Sequence, residues 1–263
     1  MNDIRVSSWS ELNEQLYEGS WKEELRHFRT DFAFRGMPQA TRTLQTRLKR
    51  LHGDYAEVEG HLLRNLRKYA QRNAVPDDLV WNWLALAQHH GLPTRLLDWT
   101  YSPYVAMHFV TEDLTQYGQD GIIWCVDYVK TNHLLPGKLK TILKKQGSNV
   151  FTVDMLSKAA KSLAGFQKLH PTDFVIFFEP PSLDDRIVNQ YALFTMMSNP
   201  SVDLDQWLGE HPDLYRRITI PHTLKWEIRD KLDQANITER VLFPGLDGLS
   251  RWLTRYYSPR FDL

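Results

Sequence analysis

Polar side chains that could do chemistry are concentrated in residues 88–100, which read QHHGLPTRLLDWT and separate two apolar segments. Rigid scaffolds often hold functional groups in short connections of this kind. His89 stands at the end of a predicted helix, where it can reach a ligand, and the Asp98 carboxylate can serve as a structural partner, a general base or a metal ligand. The hydroxyls of Thr94 and Thr100 can either donate to a ligand or cap the local backbone. We therefore predict a functional site around this segment.

Arg35 stands near the end of the strand-like run FAFRGMP, residues 32–38, and Gly36 follows it. A guanidinium offers a planar fork to two anionic oxygens, and a glycine lets a ligand approach the backbone. Arg35 is therefore predicted to hold a diphosphate or a carboxylate. The alternative is a structural ion pair with Asp98, which we expect to be partly buried because two large apolar residues flank it. Arg95 is the other candidate partner for that carboxylate.

Two further polar segments adjoin predicted strands. RIVNQYALFT places Arg186 and Gln190 just before a strand. The Gln190 carboxamide can donate and accept, which suits recognition of an amide or the positioning of a water, unless it binds the backbone of a neighbouring loop. Glu179 closes the strand-like DFVIFFE, where it is either a second candidate for a catalytic carboxylate or a solvent-facing residue at a sheet edge.

Metal-binding spacing is missing from the sequence. His89 and His90 are adjacent on a predicted helix, so their side chains point about 100° apart and cannot form the paired zinc arrangement. We therefore expect no structural zinc, and we expect His90 to be interior. The sequence also lacks a glycine-rich phosphate loop, a G-x-S-x-G elbow and an H-E-x-x-H motif, which excludes kinases, α/β-hydrolases and zincins.

The elements that must position these residues follow from apolar periodicity and from turn residues. Helices are predicted over residues 8–28, 54–72, 76–90, from 102 onward, 138–164 with a break at 146–150, 223–235 and 245–257. Strands are predicted over residues 31–35, 121–129, 173–181, 192–198 and 216–221. The fold class is therefore α+β: a helical part in the first 115 residues packs on a mixed, largely antiparallel sheet.

Composition narrows the class of protein. The 32 Lys and Arg residues balance 32 Asp and Glu residues, which argues against a protein that mainly coats nucleic-acid backbone. A basic stretch over 42–50, continued at Arg64, Arg67 and Lys68, is either a solvated face or a contact surface for an anionic partner. No segment reaches the roughly 20 apolar residues of a membrane span, and the N-terminus does not resemble a secretory signal. A single cysteine, Cys125, lies in a predicted buried strand, so a reducing cytoplasm is expected.

Four segments together resemble the FRG-domain family, named after its Phe-Arg-Gly tripeptide. They are FAFRG, LALAQHHGLPTRLLDWTYSPYVAMHF, RIVNQYALFT and VLFPGLDGL. The resemblance spans about residues 28–250, so residues 1–263 are expected to form a single FRG-type domain. It implies a bacterial or phage-associated protein, and some members occur near defence systems.

The order of the parts is also similar to that of ADP-ribosyltransferases. The aromatic-Arg-Gly comes first, then a threonine-containing motif before a helix, then Gln190; no Glu-x-Glu or Gln-x-Glu pair ends the third motif. This resemblance implies a related fold and NAD as substrate, with a protein or nucleic-acid acceptor. It assigns catalytic roles to Arg35, Asp98, Glu179 and Gln190, and cofactor contacts to Arg35, Gly36, His89, Thr94, Arg95, Thr100 and Arg186.

Two other functions remain open at this stage. A metal-dependent nuclease or a nucleic-acid-binding effector would use His89, Asp98 and the basic face over residues 42–68. A non-catalytic module for ligand sensing or interaction would use the same polar residues as an internal network, and Arg35→Ala would then mainly lower stability.

Overall fold

A computed structural model describes residues 2–51, 53–71, 74–182 and 184–260. The strands are β1 Asp3–Arg5, β2 Trp21–Lys22, β3 His27–Phe28, β4 Phe32–Met37, β5 Leu96–Thr100, β6 Gly121–Asp127, β7 Val175–Phe178, β8 Ala192–Met197 and β9 Tyr215–Ile220. The helices are α1 Trp9–Tyr17, α2 Tyr55–Tyr69, α3 Val80–His89, α4 Pro103–Thr111, α5 Tyr128–Thr131, α6 Gly137–Gln146, α7 Val153–Ala159, α8 Leu163–Gln167, α9 Asp185–Asn189, α10 Leu204–Gly209, α11 Lys225–Gln234, α12 Glu239–Leu242 and α13 Leu246–Tyr256.

Seven of the described strands form one sheet in the order β1-β9-β6-β4-β5-β8-β7, and β2 and β3 form a separate hairpin. β1 runs parallel to β9, whereas all other neighbours in the sheet are antiparallel. The prediction of a mixed α and β fold with a largely antiparallel sheet is therefore confirmed. Within the described ranges, no helix has both the length and the apolarity that crossing a membrane requires.

The middle of the sheet opens between β4 and β5. β4 pairs with β6 along its whole length, but with β5 it shares a single register pair, Phe34 with Thr100. Two residues further along each strand, Gly36 and Asp98 would be opposite each other, but the strands have already diverged. The Asp98 carbonyl instead accepts a hydrogen bond of 2.5 Å from Nη1 of Arg35. A side chain thus replaces a backbone donor where the sheet splays.

Two groups of helices cover one face of this sheet and leave a gap between them. Helices α1, α4 and α11 share a core with Phe34, Ile123 and Ile218 of the strands on one side. Helices α3, α6, α7 and α8 share another core with Leu96 of β5 and with β7 and β8. Alternate residues of a strand point to the same face, so Asp98 and Thr100 belong to this face too. Asp98 is exposed there because neither helical group covers it.

The helices that flank the gap are well defined by local sequence. Residues 81–88 of α3 are all buried, which confirms the predicted interior helix. α4 begins where predicted, because the Ser102 hydroxyl accepts from the amide of Val105 and proline occupies the first turn. The buried strand β6 and its residue Cys125 also confirm the prediction, and burial raises the pKa of that thiol to about 12.

Three predictions about elements were wrong. The helix expected over 8–28 ends at Tyr17, since Gly19 adopts a left-handed φ of 71° and the hairpin follows. The segment read as a connection contains β5, a central strand whose side chains are buried except that of Asp98. Helices also occur throughout the chain rather than mainly in its first 115 residues, and the short helices α5, α9, α10 and α12 were not predicted. The predicted end of α2 at residue 72 lies outside the described residues.

Candidate ligand-binding site

A cavity of about 930 Å³ lies in the gap between the two helical groups and in the opening between β4 and β5. Its walls come from both strands, from β8, from the facing ends of α3 and α4, and from the segment before residue 51. Residues of α9 and α13 close the remaining side. The volume falls within the range of about 300–1,000 Å³ that is typical of small-molecule and cofactor sites.

Arginines dominate the charge of this cavity. Six arginines among the described residues line it: Arg35, Arg42, Arg47, Arg50, Arg186 and Arg251. Within the described residues, no carboxylate oxygen lies within 4.0 Å of a guanidinium nitrogen of these six. Most of the other described arginines form ion pairs. Asp98 and Glu112 are the carboxylates on the wall, so the lining carries a formal excess of four positive charges with histidines neutral. Such a cavity attracts anions.

Arg35 holds the most enclosed of these charges. Its Nη1 donates to the Asp98 carbonyl, and its Nε has no partner among the described residues. Burial lowers the pKa of the guanidinium, and the Asp98 carboxylate opposes this shift, while Arg47 and Arg50 add to it. The group remains a cation at neutral pH because an arginine starts from so high a pKa. The contact is to the backbone, so the structural ion pair with Asp98 is not the arrangement found.

A chain of hydrogen bonds fixes the Asp98 carboxylate. The amide of Leu96 donates to Oγ1 of Thr94 over 3.1 Å, and that hydroxyl donates to Oε1 of Gln88 over 2.6 Å. Nε2 of Gln88 is thereby left to donate to Oδ2 of Asp98 over 3.0 Å. The expectation that Asp98 is partly buried was wrong, because its side chain faces the open gap. Thr94 is fully buried behind Gln88 and does not line the cavity.

Arg95 lies away from the cavity, in a buried ion pair with Glu59 of α2. The guanidinium Nε and one carboxylate oxygen are 2.6 Å apart, and both side chains are at most 2% exposed. The other oxygen accepts from the Arg95 amide over 2.9 Å, and Nη1 donates to the Ser198 carbonyl. The structure therefore places this predicted cofactor contact inside the protein, where it ties α2 to β5.

Thr100 and Gln190 line the cavity next to each other. The Thr100 hydroxyl donates to the Gln190 carbonyl over 2.7 Å and accepts from the Ser102 amide. Nε2 of Gln190 donates to the Leu242 carbonyl over 2.9 Å. The carboxamide thus binds the backbone of a neighbouring segment, which is the alternative that the sequence left open.

Glu179 does not line the cavity. Its carboxylate is exposed and accepts from the Tyr101 hydroxyl over 3.0 Å. Burial, followed by this glutamate, raises the pKa of the tyrosine. The second candidate for a catalytic carboxylate is therefore in a different place from Arg35 and Asp98.

His89 and His90 both reach the cavity wall at the end of α3. Nε2 of His89 lies 2.5 Å from Oδ2 of Asp184, and burial lowers the pKa of the imidazole while this aspartate opposes the shift. His90 is exposed, so the expectation that it is interior was wrong. The helix ends at His89, which leaves its successor at the cap position and outside the core. No group of three or more potential metal ligands occurs in the part of the chain that the structure describes.

Sequence reasoning missed several cavity residues. Glu112 caps the end of α4 and is open to the cavity, yet protein atoms surround it closely enough that burial raises its pKa to about 7, an effect that Arg251 opposes. Arg251 extends from α13 and stacks on Phe243, with its guanidinium carbon 4.2 Å from the ring centroid. The VLFPGLDGL segment, which carried part of the family resemblance, contains that ring and was the available signal. Glu112 had no such signal.

The described fold is a mixed α/β fold with an arginine-lined cavity. A family model described as the FRG domain matches residues 30–119, so this part of the chain is similar to the FRG domain, as its motifs predicted. The matched region runs from β4 to α4 and includes Arg35, His89, Asp98 and Glu112, whereas Arg186 and Arg251 come from outside it. Comparisons with curated proteins and with solved structures returned no match.

Proposed function

We propose that the protein binds NAD in this cavity and breaks the bond between nicotinamide and ribose, within an ADP-ribosyltransferase-like architecture. The observation that carries the proposal is the set of six arginines around one cavity, none of which has a carboxylate partner among the residues that the structure describes. A dinucleotide supplies the diphosphate that such a surface lacks. The family resemblance adds a role as a cytoplasmic toxin or phage-defence effector, with a protein, a nucleic acid or water as acceptor.

The diphosphate is assigned to Arg35 and its neighbours Arg47 and Arg50. Arg35 uses one donor for the Asp98 carbonyl and keeps its Nε without a protein acceptor in the described chain. Charge-assisted hydrogen bonds from a guanidinium fork to phosphate oxygens are strong and directional. Arg47 donates to the Gly91 carbonyl, which holds its side chain against the end of α3 and beside the cavity.

Asp98 is the carboxylate best placed for the chemistry. When the glycosidic bond breaks, nicotinamide leaves with the bonding electrons, and the ribose carbon develops oxocarbenium character that a nearby anion stabilises. Asp98 is open to the cavity and is oriented by Gln88. The acceptor oxygen then bonds to that carbon and gives up its proton, for which Glu112, with a pKa of about 7, is a suitable base. Gln190 supports the wall, since its amide is already engaged.

Calorimetry with NAD tests the binding step. Arg35→Gln is expected to weaken NAD binding by at least about 30-fold, because a partner of a desolvated charge pair is removed. Arg67→Gln is the matched control, since that arginine forms an exposed ion pair with Asp78 away from the cavity. Asp98→Asn should retain NAD binding but slow NAD loss by about 100-fold. A wild-type protein that shows no heat of binding at millimolar NAD would exclude the proposal.

Glu112 predicts a pH dependence of binding. Burial raises its carboxyl pKa to about 7, so the group is neutral below that pH and adds a negative charge to the cavity above it. Affinity for ADP-ribose, whose diphosphate does not titrate in this range, should therefore fall about fivefold between about pH 6 and pH 8. Glu112→Gln should remove most of this decrease. An unchanged decrease in that variant would assign it to the histidines instead.

A further inference from the structure

The six arginines of the cavity fall into two groups on different elements. Arg35, Arg42, Arg47 and Arg50 belong to β4 and the segment after it, and the charges of Arg47 and Arg50 lower the pKa of Arg35. Arg186 and Arg251 belong to α9 and α13 on the other wall. The first group suffices for the diphosphate of a dinucleotide. Arg186 and Arg251 are therefore available for another anionic group.

Arg186 and Arg251 converge on one aromatic ring. Their guanidinium carbons lie 4.9 Å and 4.2 Å from the centroid of Phe243, so the two groups are no more than about 9 Å apart. One phosphate, accepting charge-assisted hydrogen bonds of about 2.8 Å from each side, can span such a separation. Stacking on the ring limits the motion of both groups and leaves the edge N–H donors available.

These donors have almost no acceptors in the part of the chain that the structure describes. Among the described residues, the Arg186 side chain makes no hydrogen bond, and Arg251 makes one long contact of 3.4 Å from Nε to the Asp247 carbonyl. Glu112 is the nearby wall carboxylate whose charge both arginines influence. Two adjacent cations that lack their own counterions are costly unless a ligand supplies the negative charge.

The position of Arg251 is fixed by its helix. Arg255, one turn further along α13 and on the same face, pairs with Asp233 at 2.7 Å and with Glu239 at 2.5 Å. Gly248 lies so close to the turn after α12 that an added Cβ would meet the Phe243 carbonyl oxygen at 1.8 Å. α13 is thus held against the segment that carries the ring, and Arg251 points from it into the cavity.

We propose that Arg186 and Arg251 form a second phosphate subsite, which takes a phosphate monoester in addition to the diphosphate. The proposal rests on the proposed NAD site. The cavity lining has a formal excess of four positive charges, and the diphosphate of a dinucleotide neutralises two of them, so a second phosphate would neutralise the others. The monoester can belong to the ligand itself, as the 2′-phosphate of NADP, or to the end of a nucleic-acid acceptor. Both sources present the same dianionic group.

Competing ligands test the subsite by calorimetry. Wild-type protein should bind NADP at least about tenfold more tightly than NAD, and Arg251→Gln should reduce this ratio to about one. Arg240→Gln is the matched control, because that arginine also stacks on an aromatic ring, 4.7 Å from the Trp252 centroid, but does not line the cavity. A melting curve of each variant confirms folding.

The remaining outcomes separate the sources and the two proposals. Equal affinity for NAD and NADP, together with a preference for a 5′-phosphorylated over a 5′-hydroxyl oligonucleotide that Arg251→Gln abolishes, assigns the subsite to a nucleic-acid end. Equal binding within both pairs of ligands overturns the second subsite and leaves the NAD site standing. If NAD does not bind while the oligonucleotide preference is present, the NAD proposal fails and the phosphate subsite stands. Binding of none of these ligands overturns both.

Discussion

Gly36→Ala is expected to destabilise the protein by at least about 3 kcal/mol, because the new methyl group has no space. A Cβ at this position would lie 1.8 Å from the backbone oxygen of Ala106 and 2.7 Å from its carbonyl carbon. Both are backbone atoms of α4, so no side-chain rotation relieves the overlap. The helix or the strand must move, which would disturb the Phe34 core and the cavity wall together. Urea-induced unfolding measures the loss.

Gly60→Ala is the control for this prediction. Gly60 lies within α2, and an added Cβ there would meet nothing within 4 Å. Alanine in a helix interior is favoured over glycine by roughly 0.5–1 kcal/mol, so this variant should be at least as stable as the wild type. A Gly36→Ala protein within about 1 kcal/mol of wild type would contradict the close contact between β4 and α4.

Glu59→Gln is expected to cost about 3–5 kcal/mol of unfolding free energy, since it leaves a buried guanidinium without its counterion. Glu59 is fully buried, and its two oxygens accept from the side chain and the backbone amide of Arg95. The amide of glutamine keeps the shape but not the charge. Thermal or urea unfolding should show the loss, and NAD affinity of the folded fraction should change little because neither residue lines the cavity.

Two further variants are controls for Glu59→Gln. Glu57→Gln, on the same helix, alters an exposed contact with His61 and should change stability by less than about 0.5 kcal/mol. The double variant Glu59→Leu with Arg95→Met should recover part of the loss, since it removes both buried charges at once. If Glu59→Gln and the double variant were equally stable, the unpaired Arg95 guanidinium would not be the cause of the lost stability.

The sequence predicted elements whose signals are local. The Ser102-Pro103 start of α4, the interior helix α3 and the fully buried strand β6 all depend on a cap or on a continuous apolar pattern. β5 failed because its middle residue is an exposed Asp98 between buried neighbours, which reads as a polar connection. It becomes a strand through pairing with β8, about a hundred residues away. No local pattern contains that information.

The candidate site was predictable where motifs marked it. Arg35, Gly36, His89, Asp98, Thr100, Arg186 and Gln190 were singled out from the sequence and line one cavity, although their roles remain predictions. Thr94 and Arg95 belong to the same motif, but their side chains are buried and bind Gln88 and Glu59 inside the protein. Adjacent residues of a segment point in different directions. Glu112 and Arg251 were missed, since they reach the cavity only through the packing of α4 and α13.

The hydrogen bond from Arg35 to the Asp98 carbonyl, next to the one register pair of β4 and β5, gives a bound ligand a mechanical role. Neighbouring strands are normally joined by a series of backbone hydrogen bonds. Where β4 and β5 diverge, Nη1 of Arg35 instead donates to the Asp98 carbonyl of β5. A guanidinium has five N–H donors, so it can hold a bound anion without releasing that carbonyl. A ligand bound in the cavity would then make the junction of β4 and β5 more rigid. Part of the binding free energy would in this way restrict motion at the centre of the sheet.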